Sequence, residues 1–165
     1  MPTILDKKNV DMLTSHRIFS EAEIRSRYEI TLDNYCKTVN IEALTMVDMA
    51  KKEILPAVVA YTKSLADALA AKTAAVPGIS ASYEKNTIAR LSGLTDEIDA
   101  ATAKLESAVI RLKTAADVTE EAFMIRDDIL QKMAELRVVC DEAETLTAEE
   151  YWPFPTYDRL LFGVK

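Results

Sequence analysis

One histidine, two cysteines and 27 carboxylates are the raw material for chemistry in this 165-residue chain. His16 is the only imidazole. A di-metal carboxylate site in a helical bundle needs Glu-x-x-His twice, so that chemistry is out of reach. Cys36 and Cys140 lie too far apart, and are too few, for a cysteine-based zinc site. A nucleophilic triad would have to recruit His16, and no Gly-x-Ser-x-Gly context accompanies it; a surface or capping role is expected instead. The three glycines, Gly78, Gly93 and Gly163, have no spacing that would cradle a phosphate. Asp127-Asp128 and Asp141-Glu142 read as solvated helix faces. Tyr28, Tyr35 and Tyr61 read as packing residues, and the two cysteines as buried thiols of a reducing compartment. No catalytic, cofactor-binding or metal-ligating residue is assigned to this chain.

Charge narrows the choice further. The net charge is -7, which disfavours nonspecific nucleic-acid binding. Residues 1–116 carry 15 acidic and 15 basic side chains, whereas residues 117–165 carry 12 acidic and 5 basic, so the imbalance lies wholly in the last part. No apolar stretch approaches the roughly 18–20 residues of a membrane span. Residues 1–10 include Asp6, Lys7 and Lys8 without an apolar core, so no signal peptide is expected. Neither nucleic acid nor membrane is an expected partner.

Breakers set out the elements. With 3 Gly and 5 Pro, the chain has too little punctuation for an all-β domain. Ser20-Glu21-Ala22-Glu23 is a capping box, with Phe19 and Ile24 placed for a hydrophobic staple. The apolar stripe then reads Ile24, Tyr28, Leu32, Tyr35, Val39, Ala43, Met46, Ala50, Ile54, at the helical period. Pro56 interrupts it, and the pattern resumes at once with Val58, Val59, Tyr61, Leu65 and Leu69, so a kink is expected rather than a reversal. Pro77-Gly78 marks a turn. A second helix over residues 82–115 carries Leu91, Ile98, Leu105 and Leu112 on one seam. Leu94, Ala101, Ala108 and Ala115 lie on the other. Gly93 falls inside it, which suggests a close helix crossing. A third helix opens at Asp117 or Thr119 and places Ala122, Ile129, Leu136 and Ala143 on its seam, with Met133 and Cys140 beside them.

The expected fold is therefore all-α: an elongated antiparallel bundle of three long helices, the first kinked at Pro56, with an extended aromatic tail. Residues 1–18 are expected as an irregular lead-in, residues 19–147 as the bundle and residues 148–165 as a docking tail, in one domain. At about 1.5 Å per residue the first helical region is the longest by far, so its opening part should project beyond its partners. That places Ile24, Tyr28 and Leu32 on an exposed face that a partner would cover. The tail holds Trp152, Phe154, Tyr157 and Phe162, interleaved with Pro153 and Pro155, and also Leu160 and Leu161. It is expected either to close over the bundle end near residues 61–69, with Trp152 and Phe154 largely buried, or to dock on another domain or subunit; the two are compatible.

Several linked segments resemble a known family. Arg27-Tyr28-Glu29-Ile30, Asn40-Ile41-Glu42-Ala43-Leu44-Thr45-Met46, Met49-Ala50-Lys51 and Ile54-Leu55-Pro56-Ala57-Val58 resemble the C-terminal region of type III glutamine synthetases. So do Met133-Ala134-Glu135-Leu136-Arg137 with Asp141 and Glu144, and Tyr151-Trp152-Pro153-Phe154-Pro155-Thr156-Tyr157 with Leu160-Leu161-Phe162. Residues 62–116 diverge, and Asp158-Arg159 stands where the family carries a Gly-Asp pair. The resemblance implies a parent that makes glutamine from glutamate, ammonia and ATP with magnesium or manganese, in a large two-ring oligomer of the cytoplasm. It implies partners in the parent's catalytic domain and in neighbouring subunits. It places none of that chemistry on this chain, which alone is expected to be inactive. The alternatives are a freestanding spectrin-like structural or adaptor bundle, which the heptads alone allow, and an effector- or nucleotide-sensing regulatory module.

Overall fold

The computed structural model describes residues 2–163. Among them no strand occurs, and the fold is all-helical. The helices are α1 (Lys7–Ser15), α2 (Glu21–Met49), α3 (Leu55–Ala75), α4 (Ser82–Leu112), α5 (Val118–Met124), α6 (Leu130–Leu146) and α7 (Tyr157–Phe162). A π turn, Ala50–Ile54, joins α2 to α3, and another, Ile125–Ile129, joins α5 to α6. Three long helical rods result: α4 packs against α3, α2 and α6, and α2 packs directly against α5.

Local chemistry sets the helix starts. The Ser20 hydroxyl accepts from the Glu23 amide at 3.3 Å, and the Glu23 carboxylate accepts from the Ser20 amide at 2.7 Å, closing the capping box. Asp117 caps α5 by accepting from the amides of Thr119 and Glu120 at 2.8 and 2.9 Å. Each capped amide is one that the helix itself leaves without a partner.

The first rod passes through Pro56 without reversal. Proline donates no hydrogen bond, and its ring crowds the carbonyl of residue 52. The wide turn at Ala50–Ile54 accommodates this, with the Leu55 amide reaching back to the Ala50 carbonyl. The turn at Ile125–Ile129 uses the same bond, Leu130 amide to Ile125 carbonyl, with neither proline nor glycine beside it. It lets Ile125 and Ile129 both point into the core.

Cross-rod ion pairs mark the antiparallel register. Lys72 meets Glu84 near the turn, and Lys51 meets Glu106 at 2.6 Å farther along α4. Arg111 then meets Asp128 at 2.6 Å, and Arg90 meets Glu142 at 2.5 Å. The core between the rods is built on Leu91, Leu94, Ile98 and Leu105 of α4, all fully buried. Facing them are Ala43, Val58, Ile129, Leu136 and Ala143.

Several expectations need correction. Residues 2–15 are not irregular: a 3-10 turn, Pro2–Leu5, leads into α1. The Asn9 side chain donates to the Thr3 carbonyl, tying the two together. Arg17 takes a left-handed φ of 57° and ends α1, a position usually filled by glycine. Ile24, Tyr28 and Leu32 are buried rather than exposed. The 3-10 turn folds onto α2, and the third rod begins beside Tyr28 and Cys36 rather than beside the middle of the first rod. Residues 113–117 carry the chain onward before it turns back, which brings Val118 and Thr119 over that face. Cys36 and Val47 take the buried places expected for Tyr35 and Met46. Gly93 is at no close crossing, because a Cβ built there would meet nothing within 4 Å. The unbroken helix Glu21–Ala75 also contains a window long and apolar enough to cross a membrane, most of it unburied in this fold. The same helix packs on α4 and carries the Lys72–Glu84 pair.

Candidate docking site

The end of α6 aims the tail. The Thr147 hydroxyl donates to the Ala143 carbonyl at 2.7 Å, and Thr147 itself turns extended, which stops the helix. A turn follows, with the amides of Tyr151 and Trp152 both donating to the Ala148 carbonyl. It sets the Tyr151 ring 5.3 Å from the Tyr61 ring. Beyond that point the chain doubles back. Trp152 and Phe154 meet edge to face, 6.2 Å apart at 75°, and both are half-buried against the core. They close one side of a cavity of about 250 Å³ whose apolar wall is Met46, Met49, Ile54, Leu136 and Cys140. Arg137, Asp141 and Glu144 form its polar rim.

Two points differ from the expectation for the tail. Trp152 and Phe154 are half-buried rather than largely buried, and they lie against Met46–Ile54 rather than residues 61–69. The tight turn after α6 is the reason: only Tyr151 reaches Tyr61, and the next residues are already heading the other way. The indole Nε1 of Trp152 is buried without a hydrogen-bond partner.

Past Pro155 the chain forms α7, tethered by an Arg159–Glu149 pair at 2.9 Å. Leu160, Leu161 and Phe162 are 64%, 68% and 79% exposed. Tyr157 opens α7, and its side chain lies outside the described residues. Three consecutive large apolar side chains on one short helix form the most solvent-exposed apolar cluster in the tail.

Acidic groups of the third rod are engaged in ion pairs, within that rod and, through Arg111–Asp128 and Arg90–Glu142, between rods. Asp127 is held below the usual carboxylate range by the Arg126 guanidinium that hydrogen-bonds it. Asp128 is lowered by Lys132 and then by Arg111. Asp141 pairs with Arg137 at 2.5 Å. Both cysteines are buried free thiols. Burial pushes Cys140 up to about 11 and raises Cys36 as well, so neither is primed for nucleophilic attack. His16 is exposed and sits at the C-terminal cap of α1. Among the described residues no three His, Cys, Asp or Glu side chains converge.

Of the nine residues expected at an interface, the side chain of Tyr157 lies outside the described residues, and the other eight fall into three groups. Ile24, Tyr28 and Leu32 belong to the interior at one end of the first rod. Trp152 and Phe154 anchor the tail on the middle of that rod. Leu160, Leu161 and Phe162 are presented outward. Sequence reasoning missed Met46 and Met49 as the seat of the anchor. Their i,i+3 spacing just ahead of Pro56 was the available signal.

Comparison with known proteins gives a consistent family. The family model described as the glutamine synthetase C-terminal domain matches residues 1–73. A glutamine synthetase from Butyrivibrio fibrisolvens is 34% identical over 165 residues, which is 100% of this chain and 24% of that protein. A type-3 glutamine synthetase from Dictyostelium discoideum is 25% identical over 169 residues, covering 98% of this chain and 23% of the relative. A glutamine synthetase from Bacteroides fragilis is 26% identical over 161 residues, covering 95% and 22%. The chain thus spans about a quarter of the length of the curated relatives it matches, and the match falls in their C-terminal part. The chain is thus similar over its whole length to the C-terminal part of glutamine synthetases, a type-3 enzyme included, and its residues 1–73 match that family's C-terminal domain.

Proposed function

We propose that this chain is a non-catalytic support domain of a type III glutamine synthetase, and that α7 docks it on the catalytic part or on a neighbouring subunit during oligomer assembly. The observation that carries this reading is the pairing of an anchored Trp152–Phe154 step with an outward-facing Leu160-Leu161-Phe162. A tail serving only to complete its own core would not present those three side chains to water. Exposed apolar clusters ordinarily meet a partner.

The parent reaction, ATP-dependent formation of glutamine from glutamate and ammonia, belongs on this reading to the upstream part of a cytoplasmic enzyme. The residues described here do not fit ATP or a magnesium or manganese ion. Asp127, Asp128, Asp141 and Glu142 each bond a lysine or arginine of the same chain. Gly78, the one glycine with a positive φ, sits in the α3–α4 turn without the glycine spacing of a phosphate loop. No step of the reaction is therefore assigned to this chain.

The test uses the full-length enzyme with Leu160, Leu161 and Phe162 each replaced by serine. Native mass measurement should show smaller assemblies, while circular dichroism of the 165-residue chain with the same changes stays helical. Intact assemblies from the triple variant would defeat the docking role. Separately, the purified chain should form no glutamine from glutamate, ammonia and ATP.

A further inference from the structure

A second apolar surface lies at the other end of the first rod, in the groove between α2 and α5. Leu32 and Ala122 line its base, and Tyr28, Tyr35, Phe123 and Arg126 stand around it, enclosing about 440 Å³. Tyr35 and Phe123 are large rings left more than a third exposed. The Arg126 guanidinium lies over the Phe123 ring at 4.8 Å, and Asp127 holds it there at 2.6 Å. The groove is thus preformed, with one ring fixed in place by a cation–π contact.

Its position names the occupant. Tyr28 and Thr119, joined through their hydroxyls at 3.4 Å, form a wall shared with a neighbouring hollow that Leu5 lines. The start of this chain therefore arrives one side-chain layer from the groove. Relatives that match the chain are about four times as long, with the matching part at their C-terminal end. On the reading of this chain as the C-terminal part of such a protein, the upstream polypeptide joins it a few residues before Leu5. We infer that an apolar stretch of that upstream polypeptide, from the same molecule, fills the groove between Tyr35 and Phe123. A segment joined through a few residues has an effective concentration on the order of mM, which favours it over a second copy. The groove's carbon-rich lining suits aliphatic or aromatic side chains. This inference rests on reading the chain as the C-terminal part of a larger enzyme, and it adds an intramolecular contact distinct from the one made by α7.

Photocrosslinking in the full-length enzyme tests it. A benzophenone amino acid replaces Phe123, and the same amino acid at the exposed Val138 serves as control. Crosslinks from position 123, mapped by mass spectrometry, should join one polypeptide to its own upstream region and be absent from position 138. Crosslinks to a second polypeptide, or a yield no higher than the control, would overturn the inference. In addition, Phe123→Ser should leave the unfolding midpoint of the 165-residue chain unchanged while speeding proteolysis at the junction in the full-length enzyme; unchanged proteolysis there also counts against it. The two readings fail separately. An α7 variant that loses assembly alongside no upstream crosslink removes the groove proposal alone. The reverse pattern removes the assembly role alone.

Discussion

The rings of Tyr61 and Tyr151 lie 5.3 Å apart and tilted by 46°, so the residue that leaves the third rod is locked against the first. That contact decides where the tail goes. It holds the turn after α6 at α3, and the following residues then drop back onto Met46, Met49 and Ile54. The tail anchor and the π turn at Ala50–Ile54 thus lie at the same height of the bundle.

Trp152 is expected to contribute area but to lose some of it to an unmet hydrogen bond. A buried unpartnered donor costs about 1–3 kcal/mol, and Nε1 is such a donor. Trp152→Ala should lower stability by about 2–4 kcal/mol, because a large ring is removed from the cavity wall. Trp152→Phe should lower it by much less, since it keeps most of the ring and deletes the donor. Urea unfolding of the chain measures both. Equal losses for the two variants would show that Nε1 finds a partner.

The glycines should respond in opposite directions. Gly93→Ala meets nothing within 4 Å in the middle of α4, so it should stabilise by about 0.5–1 kcal/mol through helix propensity. Gly78→Ala puts a Cβ on a residue at φ 83°, so it should destabilise by about 1–2 kcal/mol. Thermal unfolding of the pair reads both signs in one experiment.

Removing the Asp117 cap should loosen the start of the third rod. Asp117→Ala frees two amides, those of Thr119 and Glu120, at a cost of about 1 kcal/mol. Hydrogen exchange should quicken at residues 119–121, and remain unchanged in α4.

Asp128 links stability to pH. Lys132 first, and Arg111 second, lower its carboxyl in the folded chain below the ordinary value of 3.8. A lowered folded value means that its contribution is present above pH 3.8 and fades as pH falls through the folded value. Asp128→Asn should therefore cost stability at pH 7 and progressively less below pH 3.8. Unfolding midpoints of the two proteins that stay equally separated down to the acid limit would refute the assignment.

Much of this architecture was legible in the residues themselves. Ser20 and Glu23, Asp117, and the seam Leu91, Ile98, Leu105, Leu112 announce helix starts and a buried face, because capping and periodicity are local or one-dimensional properties. Pro56 marked the place where the first rod changes its bonding, though not that the change would be a π turn. The turn at Ile125–Ile129 had no such marker, and it moves Ile125 into the core without any local cue.

What the linear pattern determined by itself was an all-helical chain with two reversals and an aromatic tail, since backbone bonding and breaker positions depend on neighbours along the chain. Which apolar faces stay uncovered was decided only in three dimensions. Ile24, Tyr28 and Leu32 carry the same kind of pattern whether exposed or buried; the course of residues 113–117 and the fold-back of residues 2–15 bury them. Tyr35 and Phe123 stand 88 residues apart on opposite walls of one groove, and Trp152 lines one cavity with Met46 of α2 and Leu136 of α6. Those meetings depend on the relative height of three rods, which the Lys72–Glu84, Arg90–Glu142 and Tyr61–Tyr151 contacts set and no local sequence rule encodes.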